Sequence, residues 1–437
     1  MRWKNIKIVS LALLVLLGLL ISTAVEADNG NRIMVNGRDP GEAVTVYIEF
    51  GEDIAFVQLE IVGQDIEGKE IEWYIGDQSV SNSSRFYHSF QEEGEYEVTV
   101  YIDEQETDTV LMVIEKDNRG MFLATIGAGL AVGIAGMGAG IGIGIAGAAG
   151  AGAIAEQPEK FGKSLVFTAL PQTQAIYGLL IAILLFLFTG IIGGEPVSLS
   201  VGLVAVGIGL SVGIAGLSAI GQGVAAAGGI ATYSEKEELF GKGVVFSVLP
   251  ETQAIYGLLI GILLLLFTGM LGGDIKGYMA GTTGQAMGLV AIGAGLAVGI
   301  AGLSAIGQGI AAGSGIATVA EDEKIFGRAM VFSVLPETQA IYGLLVAILL
   351  IVFSNMLGTD TVVTVGMGIA AVGAGLAIGI AGVSGIGQGI TAGSAIAAVS
   401  RREETFGKGM VFSVMSEISA IFGLLIAIFI ILFLGFM

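Results

Sequence analysis

Three glutamates stand inside long apolar runs, where an ionised side chain is costly: Glu251, Glu337 and Glu417. Around the first of them, Phe246, Val248 and Leu249 precede and Ile255, Leu258 and Leu259 follow. The run predicts a helix with its carboxylate about eleven residues in, near the centre of a bilayer at a rise of about 1.5 Å per residue. A charge there costs roughly 2.5–3.5 kcal/mol on insertion scales. The structural alternative is a protonated carboxyl that merely ties helices together. A cost repeated at three equivalent positions favours function instead.

Oxygen donors accompany these carboxylates. Gln222, Gln308 and Gln388 lie on glycine-rich runs, and Thr252-Gln253 and Thr338-Gln339 directly follow two of the glutamates. Carboxylate, amide and hydroxyl oxygens suit a hard cation with a partly stripped hydration shell. A proton carrier needs only the carboxyl, so the extra oxygens favour sodium as the transported ion over H+. No resident cofactor is expected.

The elements that must hold such residues are repeated. Ile214 to Gly223 recurs from Ile300 to Gly309 and, slightly altered, from Ile380 to Gly389. Val248 to Gly257 recurs letter for letter from Val334 to Gly343. A fixed interval separates Gln222 from Glu251, Gln308 from Glu337 and Gln388 from Glu417, which means one unit copied in tandem. Each unit reads as a Gly/Ala-rich helix, a short charged loop and a second helix rich in Leu, Ile and Phe. The expected architecture is all-α and transmembrane, with four helical hairpins over 120–194, 197–273, 280–358 and 362–437. Small residues on the first helix suit a crowded inner position, and the bulky second helix suits lipid. Eight helices so arranged make an arc that several chains would close into a ring.

The loops Glu156 to Lys163, Tyr233 to Lys242, Glu321 to Arg328 and Arg401 to Lys408 each carry two or three basic residues, whereas the opposite connections carry only Lys276. The positive-inside bias puts the four loops in the cytoplasm. Arg2, Lys4 and Lys7 before an apolar stretch from Ile8 to Ile21 read as an export signal over 1–27, cleaved after Ala27, with an uncleaved anchor as the alternative. Both signals leave residues 31–116 outside the cytoplasm.

That exported segment reads as short alternating strands, Ala43 to Phe50, Ala55 to Val62, Ile71 to Ile75 and Tyr96 to Ile102. Trp73 to Asp77, Tyr87 to Phe90 and Gly94 to Val98 make it similar to the PKD family of immunoglobulin-like sandwiches, which implies an all-β domain. His88, the single histidine, is read as structural. Composition removes other classes. The chain is 54% hydrophobic and 13% charged, unlike a soluble protein, and it has no cysteine for disulfide or thiolate chemistry. Most of the net charge of −20 belongs to the segment before residue 120. No basic patch points to nucleic acid, and the glycine runs lack the lysine and Ser/Thr of a phosphate loop. The chain alone is therefore not an ATPase.

The Gly-Gln-Gly helix paired with Leu-Pro-Glu-Thr-Gln-Ala-Ile-Tyr-Gly resembles the proteolipid (K or c) subunit of V-type and archaeal-type rotary ATPases, above all its sodium-binding branch. The likeness spans residues 120 to 437. It implies a rotor ring made of copies of the chain in the plasma membrane. It also implies a stator subunit whose arginine displaces each ion, central-stalk subunits at the cytoplasmic loops, and ATP chemistry on other subunits. In that branch one hairpin supplies the glutamate and an inner-helix glutamine, while the preceding hairpin supplies a leucine carbonyl, a threonine, a glutamine and a tyrosine that orients the carboxylate. Carried over, this implies three sets. The first is Leu170, Thr173, Gln174 and Tyr177 with Gln222 and Glu251. The second is Leu249, Thr252, Gln253 and Tyr256 with Gln308 and Glu337. The third is Leu335, Thr338, Gln339 and Tyr342 with Gln388 and Glu417.

The departures fall at the chain's two ends. The first hairpin has Gln172 and Ile143 where the others have glutamate and glutamine, and the fourth has Ser416-Glu417-Ile418-Ser419 and Phe422. The expectation is three ions per chain and a blank junction between chains. A passive cation channel and a multi-pass anchor for a surface-binding β domain are the competing readings. Complete oxygen shells argue against the first, and anchoring needs one helix, not eight. The role of the β domain is left open by its sequence.

Overall fold

In a computed structural model, the structure describes residues 32–433 apart from 42, 49–54, 64, 65, 67, 91–93, 117, 194–196, 273, 274, 276–278, 280, 355 and 358–362. The signal segment and Lys276 lie outside the described residues. The chain divides into two compact units at Lys116.

The first unit holds β1 (Arg32–Val35), β2 (Ala43–Ile48), β3 (Ala55–Val62), β4 (Ile71–Ile75), β5 (Gln78–Ser81), β6 (Arg85–Phe90), β7 (Gly94–Ile102) and β8 (Gln105–Lys116). They form a three-stranded sheet, β1-β3-β6, and a five-stranded sheet, β2-β8-β7-β4-β5. Pairing is antiparallel except between β2 and β8, which run parallel. Alternation explains the common core: Ile33, Val57 and Leu59 of one sheet meet Trp73, Val98, Val100 and Met112 of the other. The buried Trp73 indole satisfies its N–H by donating to Ser83 O at 2.8 Å. Four strands, β1, β5, β6 and β8, go beyond the alternation noted in sequence. They are short, or broken by charged residues as in β8, and their pairing partners complete the pattern.

Among the described residues, the second unit holds eight helical spans long and apolar enough to cross a membrane, most of them divided into shorter helices. The first hairpin is α1 (Arg119–Glu156), α2 (Phe161–Ala169) and α3 (Gln172–Phe188). The second is α4 (Leu199–Ala215), α5 (Ser218–Glu235), α6 (Phe240–Val248) and α7 (Thr252–Phe267). The third is α8 (Gly281–Ala301), α9 (Ser304–Glu321), α10 (Phe326–Val334) and α11 (Thr338–Phe353). The fourth is α12 (Val365–Gly382), α13 (Gly385–Arg401), α14 (Phe406–Val414) and α15 (Glu417–Phe433).

The glycine-rich helices pack in series, α1 on α4, α4 on α8 and α8 on α12, with each bulky helix against the inner helix of its own hairpin. Glycine is required where the backbones meet. A Cβ at Gly223, Gly309 or Gly389 would lie 2.3, 2.0 or 1.9 Å from the carbonyl oxygen of Gly142, Gly221 or Gly307 in the preceding hairpin. The series is open at both ends. In the most apolar stretch of each inner helix, 72% of the residues are buried in the two middle hairpins and only 39% in the first and fourth.

Candidate ion-binding sites

The outer helices are interrupted where the glutamates stand, in place of the unbroken helix that hydrophobicity alone suggests. Pro250 and Pro336 have no N–H to donate, and the chain tightens into single 3₁₀ turns, Leu249–Glu251 and Leu335–Glu337. The first hairpin turns likewise at Leu170-Pro171, and the fourth at Met415-Ser416 without a proline. Leucine carbonyls at three of these turns accept from side chains. Thr173, Thr252 and Thr338 donate their hydroxyls to the carbonyls of Leu170, Leu249 and Leu335 at 3.1, 3.0 and 3.0 Å.

Each glutamate is held across two hairpins. Tyr177 donates to Glu251 Oε1 at 2.8 Å, and Gln222 Nε2 donates to Oε2 at 3.2 Å. Gln174 Nε2 in turn donates to Gln222 Oε1 at 2.7 Å, and Thr173 Oγ1 lies 2.9 Å from Gln174 Oε1. The second set repeats this. Tyr256 and Gln308 donate to Glu337 at 2.6 and 3.2 Å, Gln253 donates to Gln308 at 2.7 Å, and Thr252 Oγ1 is 3.0 Å from Gln253 Oε1. In the third, Tyr342 and Gln388 donate to Glu417 at 2.6 and 3.3 Å, Gln339 donates to Gln388 at 2.6 Å, and Thr338 Oγ1 is 3.1 Å from Gln339 Oε1. All six glutamines are fully buried.

The hydrogens in these sets are fewer than the oxygens. Each threonine has one hydroxyl hydrogen and two acceptors within reach, a leucine carbonyl and a glutamine amide oxygen. A threonine hydroxyl, a leucine carbonyl and a glutamine amide oxygen thus lie together in each set, neutral oxygens of a kind that could face a cation. Both oxygens of each glutamate accept hydrogen bonds. An ionised glutamate among these neutral oxygens would match a monovalent cation, and a protonated one would carry H+. No cluster of three His, Cys, Asp or Glu occurs among the described residues.

The ends behave differently. Gln172 is exposed, Ile143 directly follows Gly142 as Gln222 follows Gly221, and Phe422 is 63% exposed. None of these takes part in a set like the other three. The sequence reading also missed a second series between hairpins. Lys163 pairs with Glu237, Lys242 Nζ with Glu323 at 2.6 Å, and Arg328 with Glu403. Its signal was present, since Phe-Gly precedes each of Lys163, Lys242, Arg328 and Lys408. The series also stops at the ends, because Pro158 occupies the place in the first hairpin that Glu237 holds in the second.

Four stretches, residues 126–185, 206–264, 284–350 and 372–430, match the ATP synthase C-subunit family. This chain belongs to that family. Subunit K of the A-type ATP synthase of Methanocaldococcus jannaschii is 53% identical over 231 residues, covering 52% of this chain and 95% of the relative. Subunit K of the V-type sodium ATPase of Enterococcus hirae is 39% identical over 150 residues, covering 34% of this chain and 94% of the relative. The human 16 kDa proteolipid of the V-type proton ATPase is 28% identical over 109 residues, covering 25% and 68%. The chain is a proteolipid of a V/A-type ATPase: a multi-pass, non-catalytic, ion-translocating component of its ring. Its β unit falls outside the four matched stretches.

Proposed function

We propose that this proteolipid carries Na+ on Glu251, Glu337 and Glu417, three ions per chain, as the rotor ring turns. The observation that carries this reading is the threonine hydroxyl between two acceptors at each site, beside a carboxylate whose two oxygens both accept. A proton on that carboxyl would need no oxygen beyond the carboxyl group itself. A sodium ion would instead draw on the carboxylate, both glutamine amide oxygens, the threonine hydroxyl and the leucine carbonyl.

The junction between chains is read as blank because both of its half-sites and its loop ion pair are missing. Glycine complementarity supports the head-to-tail join: Gly144 and Gly387, equivalents of the contacting Gly223 and Gly307, have open space beside them. In the rest of this reading, an arginine on a stator subunit releases each ion, stalk subunits dock at the basic loops and ATP is handled by other subunits. The charged loops face the cytoplasm of a cell whose plasma membrane holds the ring. Residues 1–27 direct export, and 31–116 form a PKD-like domain outside, followed by the four hairpins at 120–194, 197–273, 280–358 and 362–437. Each ion crossing is worth about 2.3 kcal/mol per 100 mV, so a ring with blank junctions moves fewer ions per turn and favours pumping over synthesis.

The test is labelling of the detergent-solubilised complex with a carboxyl-reactive carbodiimide, with and without sodium, read by peptide mass spectrometry. Suppression by sodium at Glu251, Glu337 and Glu417 supports the reading. Labelling indifferent to sodium makes the ring proton-driven, and absence of labelling at all three returns the glutamates to a structural role.

A further inference from the structure

Helical serines and threonines of the membrane unit satisfy their hydroxyls on the turn behind them. Ser211 donates to Ile208 O at 2.9 Å, Ser234 to Ile230 O at 2.8 Å, Ser247 to Gly243 O at 2.8 Å and Ser314 to Ile310 O at 2.9 Å. Among the described residues, Ser218, Ser304, Ser333 and Ser384 do not. Their hydroxyl oxygens are buried and have no hydrogen-bond partner in the protein. Ser218 and Ser304 are 0% exposed. A hydroxyl left unpaired in that way costs about 1–3 kcal/mol.

Ser333 stands on an outer helix, but Ser218, Ser304 and Ser384 occupy one place in the repeat. Each stands at the break of an inner helix, between α4 and α5, α8 and α9, or α12 and α13. At the first break Leu217 N donates to Ile214 O, a three-residue step that interrupts the regular ladder. The first hairpin supplies an internal comparison. Its inner helix α1 runs unbroken, has Gly138-Ala139 at this level, and has neither the glutamine nor the glutamate of an ion site. Serine, helix break, glutamine and glutamate therefore occur together in three hairpins and are absent together from one.

The spacing places the serine close to the site. Ser218 and Gln222, like Ser304 and Gln308, are four apart on one helix face. A second polar atom borders the same spot: a methyl added at Gly385 would lie 2.4 Å from Ser304 Cβ and 3.2 Å from Pro336 O, the carbonyl just before Glu337. We propose that Ser218, Ser304 and Ser384 each hold a buried water at the inner-helix break, and that serine and water together position the glutamine and glutamate of the adjoining ion site. A water is the occupant of choice because the group to be satisfied is a neutral hydroxyl with both a donor and two lone pairs. The inference rests on reading Glu251, Glu337 and Glu417 as ion sites.

The experiment uses the assembled complex carrying Ser304→Ala. Carbodiimide labelling is titrated with sodium and resolved by peptide, with Ser314→Ala as the control. The expected result is a rise of about tenfold in the sodium concentration that half-protects Glu337. Glu251 and Glu417 stay unchanged, the control is silent, and a density map of the wild-type ring shows a water within hydrogen-bond distance of Ser304 Oγ. An unchanged Glu337 curve, an equal shift at all three glutamates or a map without that water overturns the proposal. If sodium fails to protect the wild type, it is the sodium reading that falls. The same variant is then read by the pH of half-labelling, where a shift confined to Glu337 is expected and none overturns the proposal. Should Ser304→Ala not assemble, Ser304→Gly, the residue type of Gly138, gives the same readings.

Discussion

The hydroxyl of Tyr177 on the first hairpin donates at 2.8 Å to the carboxylate of Glu251 on the second. A carboxyl group carried by one repeat is thus oriented by its neighbour, and no hairpin holds the whole hydrogen-bonded set alone. Hydrogen bonds to a charged group contribute about 1.5–3 kcal/mol. Tyr256→Phe removes that bond from Glu337 alone, so it is expected to weaken sodium protection of Glu337 by about tenfold or more while Glu251 and Glu417 keep theirs. Peptide-resolved labelling measures this, and equal loss at all three sites would point to a general disturbance of packing.

If the junction between chains is blank only for want of side chains, it can be filled. Gln172→Glu and Ile143→Gln restore one half-site in the first hairpin, and Ile418→Thr, Ser419→Gln and Phe422→Tyr restore the other in the fourth. Bound sodium measured per chain in rings carrying all five changes is expected to rise from three to four. A count that stays at three would mean that copies meet in a geometry unlike that between hairpins of one chain.

Gly144 and Gly387 are exposed and have nothing within 4 Å of an added Cβ, unlike their equivalents inside the chain. Gly144→Leu should therefore leave the chain folded but block the approach of a second copy, because close helix contact in membranes needs small residues. Native mass spectrometry is expected to show lost or smaller rings. Gly223→Leu, whose Cβ would strike Gly142 O at 2.3 Å, should instead destabilise the chain itself.

In the β unit, burial holds the His88 imidazole below its ordinary value. Its ring lies edge-on to Phe90, with centroids 4.8 Å apart. The folded segment thus favours the neutral ring, and unfolding lets it take up a proton. This contribution to stability is present above the ordinary histidine range and is lost as pH falls through it. Denaturant midpoints followed by Trp73 fluorescence in a Trp3→Phe background are expected to be lower at pH 5 than at pH 7.5. His88→Gln should shrink that difference, and an undiminished difference would assign the effect to other groups.

Much of the membrane unit was legible because its information is periodic along the chain. Equal intervals between Gln222 and Glu251 and between Gln308 and Glu337 require no tertiary knowledge, and the missing partners at Gln172, Ile143 and Phe422 show against those intervals. The β unit was less legible. β8 reaches its partners β2 and β7 through long-range pairing, and β5 and β6 are short polar-faced strands that alternation alone marks weakly.

The sequence by itself determined that four hairpins repeat, that three carry a glutamate in an apolar run, and that the exceptions sit at the two ends. Only the tertiary structure decided which atoms meet. The donation of Gln174 to Gln222, the contest for the Thr173 hydroxyl, the ion pairs from loop to loop and the unpartnered serines at the helix breaks all join residues on different helices or depend on a local break. Composition fixes which donors and acceptors a helix carries, but their pairing depends on the approach of backbones across glycine. That distance and register belong to the packed assembly of helices, not to any one segment.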